Sequence, residues 1–391
     1  MKKIIIFLLP SILLLLSCQA DEGNQKPKSD SEKKTVVFIG TYTQKEGHVD
    51  GKAEGIYVYE LDAATGQLNY KSTMSGISNP SFLTVHPNGQ FVYAVNEYGD
   101  RAGTVTALRF DAENNQLSLL NTTSSRGKAP CYISTDANGE FAFVANYSTG
   151  NICLLAIQEN GSLGDAISAI NHPYSKLQHS RQEAAHAHYF APDLKGQYAY
   201  ALDLGADKVF IYQVDTLNRG LVSVGEQKMM GEAAGPRHLS WHPQREWVYI
   251  VNELNGTIEA YKKENKKPQL IHFQTISTIS DSTGTNASCA DIHITPNGKF
   301  LYASNRGAHN NLAMYRIDEK NGTLIFIGHQ STHGKTPRNF RITPDGKFLL
   351  VANQDSDNIV TFKINPQTGV LEETGIQTSV KTPVCLRYHS Y

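Results

Sequence analysis

Short runs of alternating hydrophobic and polar residues, separated by clusters of turn residues, fill the chain from about residue 35 onward. Three stretches share one form: Pro80–Asn96 (PSFLTVHPNGQFVYAVN), Pro236–Asn252 (PRHLSWHPQREWVYIVN) and Pro337–Asn353 (PRNFRITPDGKFLLVAN). Each joins an alternating strand to an aromatic and β-branched strand across a turn of Pro, Asn, Asp and Gly, the pattern of an antiparallel hairpin. Further copies run from Pro130 to Asn146, from Cys289 to Asn305, and from Ala185 to Asp203, the last with two extra residues expected in its turn. A second unit follows each hairpin: an alternating strand, a polar turn, then a strand opening on leucine, as in Gly103–Asp111 before Leu117.

Hairpins starting at 80, 130, 185, 236, 289 and 337, with a partial seventh at Pro383, are 46 to 55 residues apart. A period near 50 with strand-only content predicts an all-β, seven-bladed β-propeller with four-stranded blades. The second unit occurs seven times, whereas complete first hairpins occur six times. The seventh blade is therefore expected to combine Pro383–Tyr388 as its inner strand with Thr35–Gly40 beside it, which closes the ring and removes two sheet edges. Residues 35–391 then form one domain, and a closed ring makes a monomer the default.

The 36 basic and 37 acidic residues nearly cancel, a balance with no attraction for nucleic acid or a membrane surface. Lys2 and Lys3 precede an apolar run from Ile4 to Leu16 that is too short for a spanning helix, so residues 1–17 read as a signal peptide. Leu15-Leu16-Ser17-Cys18 resembles a bacterial lipobox with Cys18 as the lipidated residue, and residues 18–34 read as a polar tether. The expectation is a lipid-anchored protein of the bacterial cell envelope. Cys131, Cys153, Cys289 and Cys385 match neither a zinc pattern nor a disulfide framework, and are expected in the core.

In an antiparallel hairpin the start of the first strand lies beside the end of the second. That places Arg237 beside Glu253, His186 and His188 near Leu204, Ala290 and Asp291 near Arg306, and Arg338 near Gln354. With the first strand innermost, these ends converge on one mouth of the central channel, where ligand sites favour concavity. Residues recurring at one offset, namely Asn96, Asn146, Asn252, Asn305 and Asn353 with Asp203, are expected to serve the scaffold. The positions after them vary (Glu97, Tyr147, Leu204, Glu253, Arg306, Gln354), as an asymmetric site requires. An ion-pair belt between blades is the other reading of Arg237, Glu253 and Arg306. His186 and His188, two apart in a strand, would share a face, but without a third ligand at a diagnostic spacing hydrogen bonding or proton transfer is preferred to metal binding. His86 and His242 read as scaffold, and Ser280–Ser288 as a surface loop.

Phe38–Thr43, Gly55–Tyr59, His186–His188, Asp203–Asp207, Gly235–His238, Val251–Glu253 and Ser304–Gly307 together resemble the propeller lactonase family, which includes 6-phosphogluconolactonases and the fungal carboxymuconate-lactonizing cycloisomerase. The resemblance implies cofactor-free and metal-free attack of water on a lactone, with His188, Arg237, Glu253 and Arg306 as the catalytic set. His186, Arg338 and Asp291 are expected to contact substrate. Glu253 is expected to activate water and His188 to protonate the leaving oxygen, with the arginines binding the carbonyl oxygen or an anionic substituent. An exported enzyme sits poorly with a phosphorylated substrate, so an uncharged sugar lactone or another carboxylated lactone is expected. Ring closure, as in the cycloisomerase, and a non-catalytic envelope binding platform are the alternatives.

Overall fold

A computed structural model describes residue 1 and residues 34–391, apart from positions 176, 216–219, 265–266 and 281–286. The expected leader, Cys18 and the tether up to residue 33 lie outside the described residues, as does most of the Ser280–Ser288 loop.

Seven antiparallel four-stranded sheets form the blades, with the first strand of each repeat hairpin innermost. Pro236–Trp241, Trp247–Asn252, Thr257–Lys263 and Leu270–Ser277 run outward in that order in one of them. The closing blade has Pro383–Ser390 inside, then Thr35–Thr41, Gly55–Leu61 and Leu68–Ser75. Its two chain ends pair from Thr35 with Ser390 through Gly40 with Cys385. Ring closure thus converts the two open edges into ladder hydrogen bonds.

Second strands such as Phe141–Asn146 and Phe348–Asn353 are buried on both faces because blades pack on either side of them. Phe143 of one blade meets Phe190 of the next edge-on, with ring centroids 5.1 Å apart. Their buried tyrosines keep a partner for the hydroxyl: Tyr93 donates to the Gly161 carbonyl, Tyr249 to Gly322 and Tyr302 to Gly369, each in a turn of the following blade. The recurrent asparagines hold the connections between blades. Asn146, Asn305 and Asn353 donate to the carbonyls of Ser125, Thr278 and Thr332. His86 and His242 bridge to the turn carbonyls of Gly139 and Gly298 in adjacent blades, the scaffold role expected of them.

The third hairpin differs from expectation. Ala187, not Ala185, pairs with Asp203, just as Pro130 pairs with Asn146 and Pro236 with Asn252. The turn has no extra residues; the additional length lies in the connection before Ala187.

Near the start of the inner strands the ladder skips a residue, leaving Cys131, His188, Arg237, Arg338 and Val384 as bulges, with Ala290 and Asp291 together facing Ser304. A bulge turns two successive side chains toward the axis instead of alternating them. The channel consequently has layers. The uppermost holds the bulged residues, including His188, Arg237 and Arg338. Below it Phe82, Tyr132, Tyr189, His238, Asp291 and Asn339 pack into a plug, with Phe82 and Tyr132 centroids 4.4 Å apart and Tyr132 and Tyr189 4.5 Å apart. Two residues further along each inner strand comes the layer of the opposite mouth.

Candidate active site

A cavity of about 440 Å³ opens at the mouth formed by the starts of the inner strands. The bulged Cys131, His188, Arg237 and Arg338 supply its floor, while Glu97, Tyr147, Glu253 and Arg306 reach in from the ends of the second strands. Glu46 and His48 come from the small hairpin after the first described strand, and Arg181 from the connection before Ala187.

Glu253 is the electrostatic centre, 4% exposed and gripped by three guanidinium groups. Arg237 Nε lies 2.9 Å from its Oε2, while Arg306 at 3.0 Å and Arg181 at 3.2 Å share Oε1. Burial works against ionisation, but Arg306, then Arg237, Arg181 and Arg338, hold the carboxyl down to about 2. Burial and the neighbouring Arg306 bring Arg237 down to about 10, against the pull of Glu253. Arg237 also donates to the Ala290 carbonyl, and Arg306 donates to the Ser288 and Cys289 carbonyls at 3.2 and 3.1 Å. The ion-pair belt and the candidate site are thus one structure.

Arg338 is less committed. Its one hydrogen bond among the described residues goes to the Tyr42 hydroxyl at 3.2 Å, and Tyr42 in turn donates to Glu97 at 2.7 Å. Opposite stands His188, 5% exposed, whose Nδ1 has no hydrogen-bond partner among the described residues. Burial, then Arg237, His238 and Arg338, hold its pKa well below the usual histidine range, so the ring is neutral at pH 7.

Two expected substrate contacts sit elsewhere. Asp291 belongs to the plug, one layer below the cavity, because both residues opposite Ser304 turn inward. Its carboxylate accepts from His238 at 2.8 Å and from His293 at 3.0 Å, with Asn339 as a further donor, and it is 2% exposed. His186 precedes the strand and stacks flat on Tyr147 at 4.5 Å, its Nε2 3.2 Å from Glu183. Both histidine rings contact Tyr147, His188 edge-on at 5.7 Å, but His186 is occupied by the Tyr147 carbonyl and Glu183 while His188 lines the cavity. Among the described residues no group of three or more His, Cys, Asp and Glu side chains is arranged to hold a metal ion.

Glu97 and Tyr147 stood in the sequence among the varying positions expected at the mouth, where they are found, but no role was expected of them there. Arg181, Glu46 and His48 carry no repeat offset, because their segments interrupt the pattern.

The family described as Lactonase, 7-bladed beta-propeller, matches residues 36–388. The chain is 32% identical to a 6-phosphogluconolactonase of Bacillus subtilis, over 91% of this chain and 98% of the relative. A putative 6-phosphogluconolactonase structure from Bacteroides fragilis superposes with a TM-score of 0.85 at 34% identity, covering 93% of this chain and 100% of that one. A periplasmic gluconolactonase from Pseudomonas aeruginosa gives 0.84 at 32% identity, with 91% and 99% covered. With the match spanning the ring from its first to its last strand, the chain belongs to the seven-bladed β-propeller lactonase family.

Proposed function

We infer that this protein is a hydrolase of sugar-acid lactones acting at the upper mouth of the channel. The observation that carries the reading is a neutral, buried His188 that lines the same cavity as the weakly committed Arg338. Water adds to the lactone carbonyl carbon while His188 takes its proton. Negative charge grows on the carbonyl oxygen, where Arg338 and the remaining N–H groups of Arg237 and Arg306 stabilise it. The ring C–O bond then breaks, its oxygen takes the proton back from His188, and the product is an open hydroxy acid whose carboxyl ionises.

Geometry favours His188 over Glu253 as proton acceptor, reversing the roles expected from the resemblance: both oxygens of Glu253 already accept from arginines, whereas the His188 ring carries no hydrogen bond to a described residue. A carboxylate held at about 2 by several arginines is a weak base at neutral pH. Glu253 acts instead by fixing Arg237 and Arg306 and by balancing their charge.

For the substrate, an unphosphorylated aldonic lactone is the reading that agrees with the proposed export and lipid anchoring at Cys18, and it is supported by similarity to a periplasmic gluconolactonase. The second reading, a phosphorylated lactone, draws support from four arginines facing three glutamates around the cavity. Proton release by the purified full chain, measured with gluconolactone and with its 6-phosphate, tests both. Turnover that His188→Gln removes is expected; no catalysed hydrolysis of either would overturn the assignment.

A further inference from the structure

We propose that the opposite mouth of the channel is a second binding site, for an organic carboxylate carried on a flat apolar body. This proposal does not rest on lactone chemistry at the upper mouth.

The inner strands all run from the upper mouth toward this one, so the residues three positions beyond the bulges line it. At that offset stand Thr84, Ser134, Ala191, Ser240, His293, Arg341 and Arg387, of which all but Ala191 line the cavity. His293, Arg341 and Arg387 belong to three successive blades and small side chains to the other four, an asymmetry that a purely structural layer does not need. The cavity, of about 630 Å³, is separated from the upper one by the plug.

The electrostatics of this cavity are one-sided. Arg341 and Arg387 both face it, no Asp or Glu lines it, and neither arginine forms an ion pair among the described residues. Arg387 lies over the Phe82 ring at 4.4 Å and donates one N–H to its own neighbour, the Leu386 carbonyl, at 2.8 Å. Arg341 is 3.5 Å from His293 Nδ1. The nearest acid, Asp291, lies behind His293 and is already engaged by His238, His293 and Asn339. Two guanidinium groups held in a concave, partly dehydrated place without a counter-charge leave planar N–H donors for an oxyanion, and their geometry suits a carboxylate.

The rest of the wall selects the body of the ligand. Tyr132, Tyr189, Trp241 and Tyr388 contribute rings, and Val85 and Leu239 aliphatic surface. Such a wall favours a flat apolar group over a bare inorganic anion.

The probe is para-fluorobenzoate, titrated into the full chain and followed by fluorine NMR, with inorganic phosphate as the second ligand. Saturable binding of fluorobenzoate, tighter than that of phosphate, is expected, and Arg341→Gln and Arg387→Gln should each weaken it at least about tenfold. Arg338→Gln, which alters the upper mouth, should leave it unchanged. Circular dichroism melts establish that each variant is folded; if one glutamine variant fails to fold, the other decides. The proposal is overturned by non-saturable binding, by phosphate binding as tightly as fluorobenzoate, by undiminished binding in folded glutamine variants, or by loss in Arg338→Gln.

Discussion

Arg237 and Glu253 meet at 2.9 Å because one is the bulge of an inner strand and the other follows the end of its hairpin partner. Both are nearly inaccessible, at 2% and 4% exposure. Removing Glu253 leaves Arg237 buried without a carboxylate, whereas removing Arg237 leaves Glu253 paired with Arg306 and Arg181. Glu253→Leu is expected to cost about 3–5 kcal/mol and Arg237→Met less, with the double variant below their sum. A double-mutant cycle by urea unfolding measures this, and simple additivity would contradict a coupled pair.

His188→Gln keeps a polar side chain at the bulge but removes the proton acceptor. A fall of about 10²–10⁴ in kcat/KM is expected, with KM little changed. Glu253→Asp, which retains the charge, should lose less. The reverse ranking would return the role of base to the carboxylate.

Acid sensitivity follows from the depressed pKa values. The Glu253 carboxyl, ordinarily near 4.5, lies at about 2 when folded, so its contribution to stability is complete above about pH 4.5 and is lost as pH falls toward 2. Burial, followed by Arg237, lowers His238 from 6.5 to about 4 against Asp291; its contribution is complete above about pH 6.5 and lost as pH falls through 4. Comparing unfolding free energies of the parent protein and Glu253→Gln across pH 5 to 2 should show a shallower acid decline in the variant. Parallel curves would contradict the prediction.

Arg181 bridges Glu253 and the Tyr147 hydroxyl, at 3.2 and 2.7 Å, from a side chain that is 49% exposed. Solvent screening limits its share in stability, so Arg181→Ala should shift unfolding by less than about 1 kcal/mol. The arginine stands at the cavity rim, and an increase of about tenfold in KM is expected from losing a charged donor. An unchanged KM would assign it to the loop alone.

Gly139 has a φ of +74°, and a Cβ there would fall 2.0 Å from His86 Nε2. Gly139→Ala is expected to destabilise the fold by about 1–3 kcal/mol while leaving the activity per folded molecule unchanged. Thermal melts and active-site titration separate these effects.

Legibility in the sequence followed the repeat. Pro236–Asn252 and its copies display strand alternation and turn chemistry locally, so blade number, strand order and the closing pair Thr35–Gly40 with Pro383–Tyr388 could be read without coordinates. The same copies separated scaffold asparagines from the varying Glu253 and Arg306. Misreading fell where the repeat is interrupted, before Ala187, and where a bulge redirects a side chain inside a regular copy, at Asp291. Placing the third hairpin at Ala185 put His186 inside the strand and two extra residues in the turn, whereas the ladder opens at Ala187 and the extra length precedes it.

Sequence alone determined the ring of seven blades, because periodic hydrophobicity and turn residues act over neighbours a few positions apart. Tertiary structure decided which side chains share a cavity, and with what charge. The bulges that aim His188, Arg237 and Arg338 upward and bury Asp291 one layer down depend on pairing between strands. The guanidinium cluster that makes Glu253 a weak base and His188 a neutral one draws on residues from 181 to 338, which only closure of the ring brings within hydrogen-bonding and electrostatic range.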